Sequence, residues 1–342
     1  MAITLKDIAA KVGYSVTTVS RALGGYDDVA EDTRRLIVHT AEELGYRPNV
    51  MAQRLQKQRT DTLGFVIPTF GPRFSDPFFS ELLAGMGNEA ASHDFDVLIS
   101  TRPPDSQVEA LAYERLVREG RVDGLMLTRT RINDARIAYL LAQGFPFVAF
   151  GRTRVAGEYA CVDMDGERGM FNATRYLLGL GHRDIAIISP PPDLMFTVYR
   201  LRGFQQAMAA HGLPVDPAWR ESGDLTESEG YMAGCRLLDG QRRPTAIIAG
   251  NDLMAIGAMR AAHERELRVG RDLSVIGFDD ITLAEHANPP LTTMRQPIYE
   301  LGRRVCRMLV HILSGQPLGE EGCQVLLEPE LIVRASSGPP PA

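Results

Sequence analysis

The sequence predicts an α/β protein: an all-α helix-turn-helix headpiece at the N-terminus, then two doubly wound parallel-sheet lobes. Three observations predict it. Leu5 to Gly24, LKDIAAKVGYSVTTVSRALG, carries helical periodicity broken by a single turn signal. After Thr60, short apolar runs alternate with helical segments, as β-α units of a parallel sheet do. The alternation then repeats, which implies two similar lobes with a cleft between them.

In the headpiece, Ile8, Ala9 and Val12 give the first helix one apolar stripe. Gly13 stands where the helix must end, because glycine takes the left-handed conformation cheaply. Ser15 can cap the second helix, Val16 to Leu23, which buries Val19, Ala22 and Leu23. Its other face shows Val16, Thr17, Ser20 and Arg21, groups of the kind that meet base edges in a major groove. The alternative is a helical hairpin with a solvated face. Val29, Thr33, Ile37, Ala41 and Leu44 mark a third helix, ended by Gly45. A short basic segment, Val50 to Gln58, follows. Three short helices and a basic linker point to double-stranded DNA as a partner.

In the body, TLGFVIP, FDVLIS, VDGLMLT and PFVAFG read as buried strands. Helical segments lie between them at Phe78 to His93, Gln107 to Glu119 and Asp134 to Gln143. The second unit runs through Glu167 to Leu180, DIAIIS, Arg200 to His211, PTAIIAG, Asp252 to Glu264 and LSVIGFDD. Polar residues that follow strands, Thr128, Arg152, Asn251, Asp252, Asp279 and Asp280, suit a hydroxyl-rich ligand in the cleft.

Composition agrees. A net charge of −6 disfavours wholesale nucleic-acid binding, but the first sixty residues hold nine Lys/Arg against seven Asp/Glu. DNA contact is therefore expected to be local. Cys161, Cys235, Cys306 and Cys323 are widely spaced, without a CxxC or a Cys/His cluster, and read as reduced thiols. No phosphate loop, GxGxxG after a strand or GxSxG is present, and the histidines lack metal-ligand spacing. The expectation is a protein that is not an enzyme, with no cofactor and no metal. No apolar run approaches membrane-spanning length, and MAITLKDIAAKVG lacks the apolar core of a signal peptide. The expected location is the cytoplasm, on the nucleoid when bound to DNA.

From the headpiece through Ala335 the chain resembles the LacI/GalR family of bacterial transcription regulators. The matching stretches are TLKDIAAKVGYSVTTVSRALGG, ELGYRPNVMAQRLQ, TLGFVIP with DPFF after it, GHRDIAIIS, RLRGF, AGNDLMAIGAMRA, DLSVIGFDD and LTTMRQP. The resemblance implies a body of the type I periplasmic-binding-protein kind and a sugar effector between its lobes. It implies a homodimer on a palindromic operator, and most often a repressor released by its sugar. A regulator worked by a purine corepressor or a protein partner is the alternative; a sugar-binding transport protein is disfavoured by the headpiece. The implied divisions are a headpiece over 1–47, a linker with a hinge helix over 48–60, one lobe over 61–162 plus 293–323, another over 163–292 plus 324–335, and a tail over 336–342.

The resemblance also implies site residues. Val16, Thr17 and Arg21 would read bases, while Ser15, Thr18 and Ser20 would touch phosphate or cap the helix. Leu55 would enter the minor groove as an apolar wedge. Asp76, Phe78, Phe79, Thr128, Arg152, Arg200, Asn251, Asp279 and Gln296 would hold the effector. Three departures stand out. Gly151 precedes Arg152 where pentose-binding relatives carry an Asp, Leu225 lies near the place of a stacking aromatic, and Ile298 replaces a phenylalanine. A plain lactose or ribose site is therefore not expected, and a wider cleft for an oligosaccharide would fit. The tail SSGPPPA is dense in Pro and Gly and is expected to be disordered, without a tetramerising heptad.

Overall fold

The structure is a computed structural model that describes residues 3–46, 59–69, 76–318 and 322–341. It divides into two units, Met1–Thr60 and Asp61–Ala342. In the first, α1 (Leu5–Val12) starts at Thr4, whose N–H donates to Asp7 Oδ2 at 2.8 Å. It ends at Gly13, where φ is 73°. Helices α2 (Val16–Leu23) and α3 (Glu31–Glu43) follow. Ile8, Val19, Ala22, Val29, Ile37 and Ala41 pack into one small core. The hinge helix and Leu55 lie outside the described residues.

The second unit holds two six-stranded sheets. The first comprises β1 (Thr62–Pro68), β2 (Asp96–Arg102), β3 (Gly124–Leu127), β4 (Phe147–Phe150), β5 (Ala160–Met164) and β11 (Gln324–Leu327). All its pairs are parallel, in the order β11-β5-β4-β3-β1-β2. Leu63, Phe65 and Ile67 face one core with α4 (Pro77–Ala91) and α12 (Ile298–Leu313). Val66 faces the other, with α5 (Gln107–Arg118) and α6 (Ala135–Gln143). Burial on both faces explains why β1, β3 and β4 read as continuous apolar runs. The run FDVLIS is not a buried strand: β2 lies at the edge of the sheet, and its residues are exposed or half-buried.

The second sheet comprises β6 (Ile185–Ser189), β7 (Arg220–Ser222), β8 (Ala246–Ala249), β9 (Ser274–Asp279), β10 (Thr292–Arg295) and β12 (Glu330–Ile332). Its order is β12-β10-β9-β8-β6-β7, and only β12 is antiparallel to its neighbour. Helices α7 (Gly166–Gly179) and α8 (Met195–Ala210) cover one face, and α9 (Glu227–Leu238) and α10 (Asp252–His263) the other. A short α11 (Thr282–His286) follows β9.

The chain crosses between sheets three times: at Asp165, at Gln296–Pro297 and at Glu328–Pro329. Four further expectations are corrected. Asp163 and Met164 belong to the first sheet, because β5 pairs with β11 as far as Met164 opposite Leu327. Thr293 to Arg295 belong to the second sheet, because β10 pairs with β9. Gln324 to Leu327 belong to the first, because β11 pairs with β5 from Gln324 opposite Cys161. An apolar run shows that a strand exists, not which sheet it joins. The tail is not disordered over its described residues. Ser336 is fully buried, and its Oγ donates to Val275 O at 2.6 Å and accepts from Thr292 N at 2.8 Å. Gly338 O accepts from Ser274 Oγ at 3.0 Å and lies 2.8 Å from His182 Nε2. Composition alone cannot reveal that backbone groups of the sheet wait for these partners.

Candidate functional site

The exposed face of α2 presents Val16, Thr17 and Arg21, while Thr18 and Ser20 are half-buried. Ser15 caps the helix: its Oγ accepts from Thr18 N at 3.0 Å and lies 2.8 Å from Thr18 Oγ1. Both hydroxyls thus serve the helix start first. Val16, an apolar side chain at 40% exposure, is presented outward rather than packed in the turn. Arg21 is held by Asp28, with Nε donating at 3.1 Å and Nη2 at 2.6 Å.

In the second unit, a cavity opens between the ends of the two sheets. Nearly every expected effector residue lines it: Asp76, Phe78, Thr128, Arg152, Arg200, Asn251, Asp279 and Gln296. Phe79 does not. Its side chain is 1% exposed in the core of the first lobe, because consecutive residues of α4 point about 100° apart and only Phe78 faces the cavity. Phe78 stacks on Phe150, with centroids 6.1 Å apart and rings 15° from parallel.

Three arginine–aspartate pairs line the cavity. Asp76 caps α4 by accepting from Phe78 N and receives Arg129 Nη2 at 2.7 Å. Arg152 Nε donates to Asp163 Oδ2 at 2.6 Å while its guanidinium lies over Tyr199. Arg200 lies 3.9 Å from Asp279, donates to Gly250 O, and stacks on Phe278 and Phe196. Gln296 Nε2 donates to Asp279 Oδ1 at 2.5 Å. Burial lifts the carboxyls of Asp76, Asp163 and Asp279 above the usual carboxylate range and lowers the Arg200 guanidinium to about 10. Asp252, behind the site, is pushed up to about 6 by burial, although Thr293 Oγ1 and Ile281 N donate to it. Two buried polar atoms of the lining, Thr128 Oγ1 and Arg200 Nε, have no hydrogen-bond partner. Asn251 is largely committed: Oδ1 caps α10 and Nδ2 donates to Leu225 O. Leu225 itself lines the cavity at φ 75°, a strained backbone conformation for a branched residue.

Arg129, Phe150, Asp163 and Phe196 line the site without having been singled out in the sequence. Asp163 carried a signal, a carboxylate inside the apolar run YACVDM. Arg129 follows Thr128 at a strand end, where cleft residues collect.

Residues 4–49 match the family described as "Bacterial regulatory proteins, lacI family", and residues 174–337 match the "Periplasmic binding protein-like domain". The HTH-type transcriptional regulator AglR of Rhizobium meliloti (strain 1021) is 38% identical over 346 residues, covering 100% of this chain and 96% of that one. The chain belongs to the LacI family. It is a DNA-binding transcriptional regulator, and no catalytic family is indicated. Among solved LacI-family structures, the complex of transcriptional regulator CelR with cellobiose matches at TM-score 0.73 and 35% identity, covering 98% of this chain and 99% of that one. The lac repressor dimer bound to operator and the anti-inducer ONPF matches at TM-score 0.84 and 28% identity, with 99% and 100% covered. Among the described residues, no helix is long and apolar enough to cross a membrane.

Proposed function

We propose that this regulator represses carbohydrate-utilisation genes and leaves a palindromic operator when a neutral sugar fills the interlobe cavity. The three arginine–aspartate pairs carry the reading. Each pair presents donors beside acceptors, and the formal charges cancel. A neutral polyol matches that pattern, because each hydroxyl both donates and accepts. A phosphorylated ligand would bring charge into a lining whose arginines are already paired with carboxylates. Phe78 and Phe150 offer apolar faces to the C–H side of a pyranose. Thr128 Oγ1 and Arg200 Nε stand ready for ligand oxygens.

Val16, Thr17 and Arg21 are the base readers, with Ser15, Thr18 and Ser20 supporting the helix and its phosphate contacts. The operator's two-fold symmetry requires two copies of the chain. The edge of β2, unpaired among the described residues, supports a dimer, with Ile99 49% exposed on the strand and Val108 and Leu111 54% exposed on the neighbouring α5.

A thermal-shift screen against neutral mono- and disaccharides, sugar phosphates and purines tests the effector class. Stabilisation by a neutral sugar that also releases a bound palindrome in a mobility-shift assay is the expected result. Stabilisation by a purine or a sugar phosphate alone overturns it.

A further inference from the structure

The turn after the recognition helix is built around Arg21. Residues 24–28 read Gly-Gly-Tyr-Asp-Asp. Asp28 meets Arg21 side-on, Oδ1 accepting from Nε at 3.1 Å and Oδ2 from Nη2 at 2.6 Å. The Tyr26 ring covers one face of the same guanidinium, 4.8 Å from centroid to Cζ. Tyr26 is itself fixed. Its carbonyl accepts from Arg34 Nη2 at 2.7 Å, and its N–H donates to Arg21 O at 3.2 Å. Gly24 leaves room for the ring, since a Cβ there would meet the Tyr26 ring at 3.0 Å. Val29, which closes the turn, is buried in the headpiece core.

A guanidinium is a planar fork with two edges able to make paired hydrogen bonds. Asp28 occupies the edge formed by Nε and Nη2. The outer edge, formed by Nη1 and the second proton of Nη2, is the one that grips O6 and N7 of guanine. We propose that Asp28 is a positioning residue for base recognition: with Tyr26, it locks Arg21 so that its outer edge is presented to a guanine. This rests on Arg21 being a base reader, as proposed above.

An arginine held in one orientation loses less conformational freedom on binding. It also cannot swing to a nearby phosphate, so its binding energy stays tied to one base pair. A carboxylate at a DNA-facing surface opposes the phosphates, and that repulsion falls on every sequence alike. Asp28 therefore weakens binding to random DNA while sharpening the choice of base. The two effects have opposite signs, and this separates positioning from mere charge.

The experiment uses the full chain and three duplexes: the operator, the operator with the Arg21-contacted G·C pair changed to A·T in both half-sites, and random sequence. Asp28→Asn, Tyr26→Ala and Arg21→Ala are compared with the unaltered protein at one salt concentration. Arg21→Ala should lower the operator-to-variant ratio by roughly tenfold or more per half-site. Asp28→Asn should lower the same ratio severalfold while tightening binding to random DNA, and Tyr26→Ala should lower it to a lesser degree. Helical circular dichroism of each variant, unchanged from the parent, shows that the headpiece is intact. If Asp28→Asn tightens all three duplexes equally, Asp28 is only a repulsive charge and the proposal fails. If Arg21→Ala leaves the ratio unchanged, the base-reading assignment fails instead.

Discussion

At the scale of single residues, two adjacent phenylalanines separate binding from folding. Phe78 lines the cavity and Phe79 fills the core. Phe79→Ala should destabilise the protein by about 3–5 kcal/mol, the usual cost of emptying a buried aromatic site. Phe78→Ala should cost much less stability but weaken the sugar. Chemical denaturation and sugar titration on the two variants check this, and equal effects on both would contradict the assignment. Arg200→Ala should nearly abolish sugar binding, since it removes the arginine paired with the buried Asp279. Most cavity residues were legible in the sequence because strand ends of a doubly wound sheet converge on the cleft. Phe79 was misplaced because the motif DPFF gives residue types but not helical phase. Arg129 and Phe150 were missed because their role depends on partners, Asp76 and Phe78, that lie far away in the chain.

At the scale of elements, α4 and α12 are tied by one buried carboxylate. Glu89 accepts from Arg307 Nε at 2.6 Å and from Arg303 Nε at 2.9 Å. Hydrogen bonding by Arg307 foremost, with Arg303 beside it, holds its carboxyl down to about 2 against an ordinary 4.5. A depressed carboxyl contributes stability that is complete above about pH 4.5 and is lost as pH falls toward 2. Glu89→Gln should therefore cost about 1–3 kcal/mol near neutrality, a loss moderated because both arginines are partly exposed. The cost should shrink as acid is added. Urea unfolding of parent and variant from pH 3 to 7 tests the convergence, and a constant gap would refute the linkage. The tail gives a second case. Ser336→Ala leaves Thr292 N–H and Val275 C=O without the hydroxyl they share and should lower stability by about 1–3 kcal/mol. An unaltered melting temperature would show that the docking contributes nothing. Strands and helices with strong periodicity could be read from sequence. Strand β11 could not be assigned to its sheet, because the Cys161–Gln324 register is a long-range choice. The tail could not be read either, because it docks through serine hydroxyls and glycine backbone rather than through an apolar pattern.

At the scale of the whole molecule, the cavity lies beside two of the three places where the chain crosses between sheets, Asp165 and Gln296–Pro297. Its lining comes from both lobes: Asp76, Arg129 and Arg152 from the first, Arg200, Asn251 and Asp279 from the second. A ligand touching both sets favours one lobe arrangement over another only through a difference in affinity. If operator DNA favours a different arrangement, the two ligands are coupled, typically by about 1–3 kcal/mol, or roughly 5–150-fold. Coupling in binding free energy is reciprocal. The factor by which the sugar weakens operator binding must equal the factor by which operator weakens sugar binding. Calorimetric titration of sugar with and without operator, set against operator titration with and without sugar, should give one factor from both directions. Operator that tightens sugar binding would make the sugar a corepressor, and identical sugar affinities with and without DNA would remove the allosteric reading. Arg21→Ala sharpens the test. It should weaken the operator while leaving sugar affinity in the absence of DNA unchanged, because Arg21 and the residues of the cavity belong to separate units of the chain.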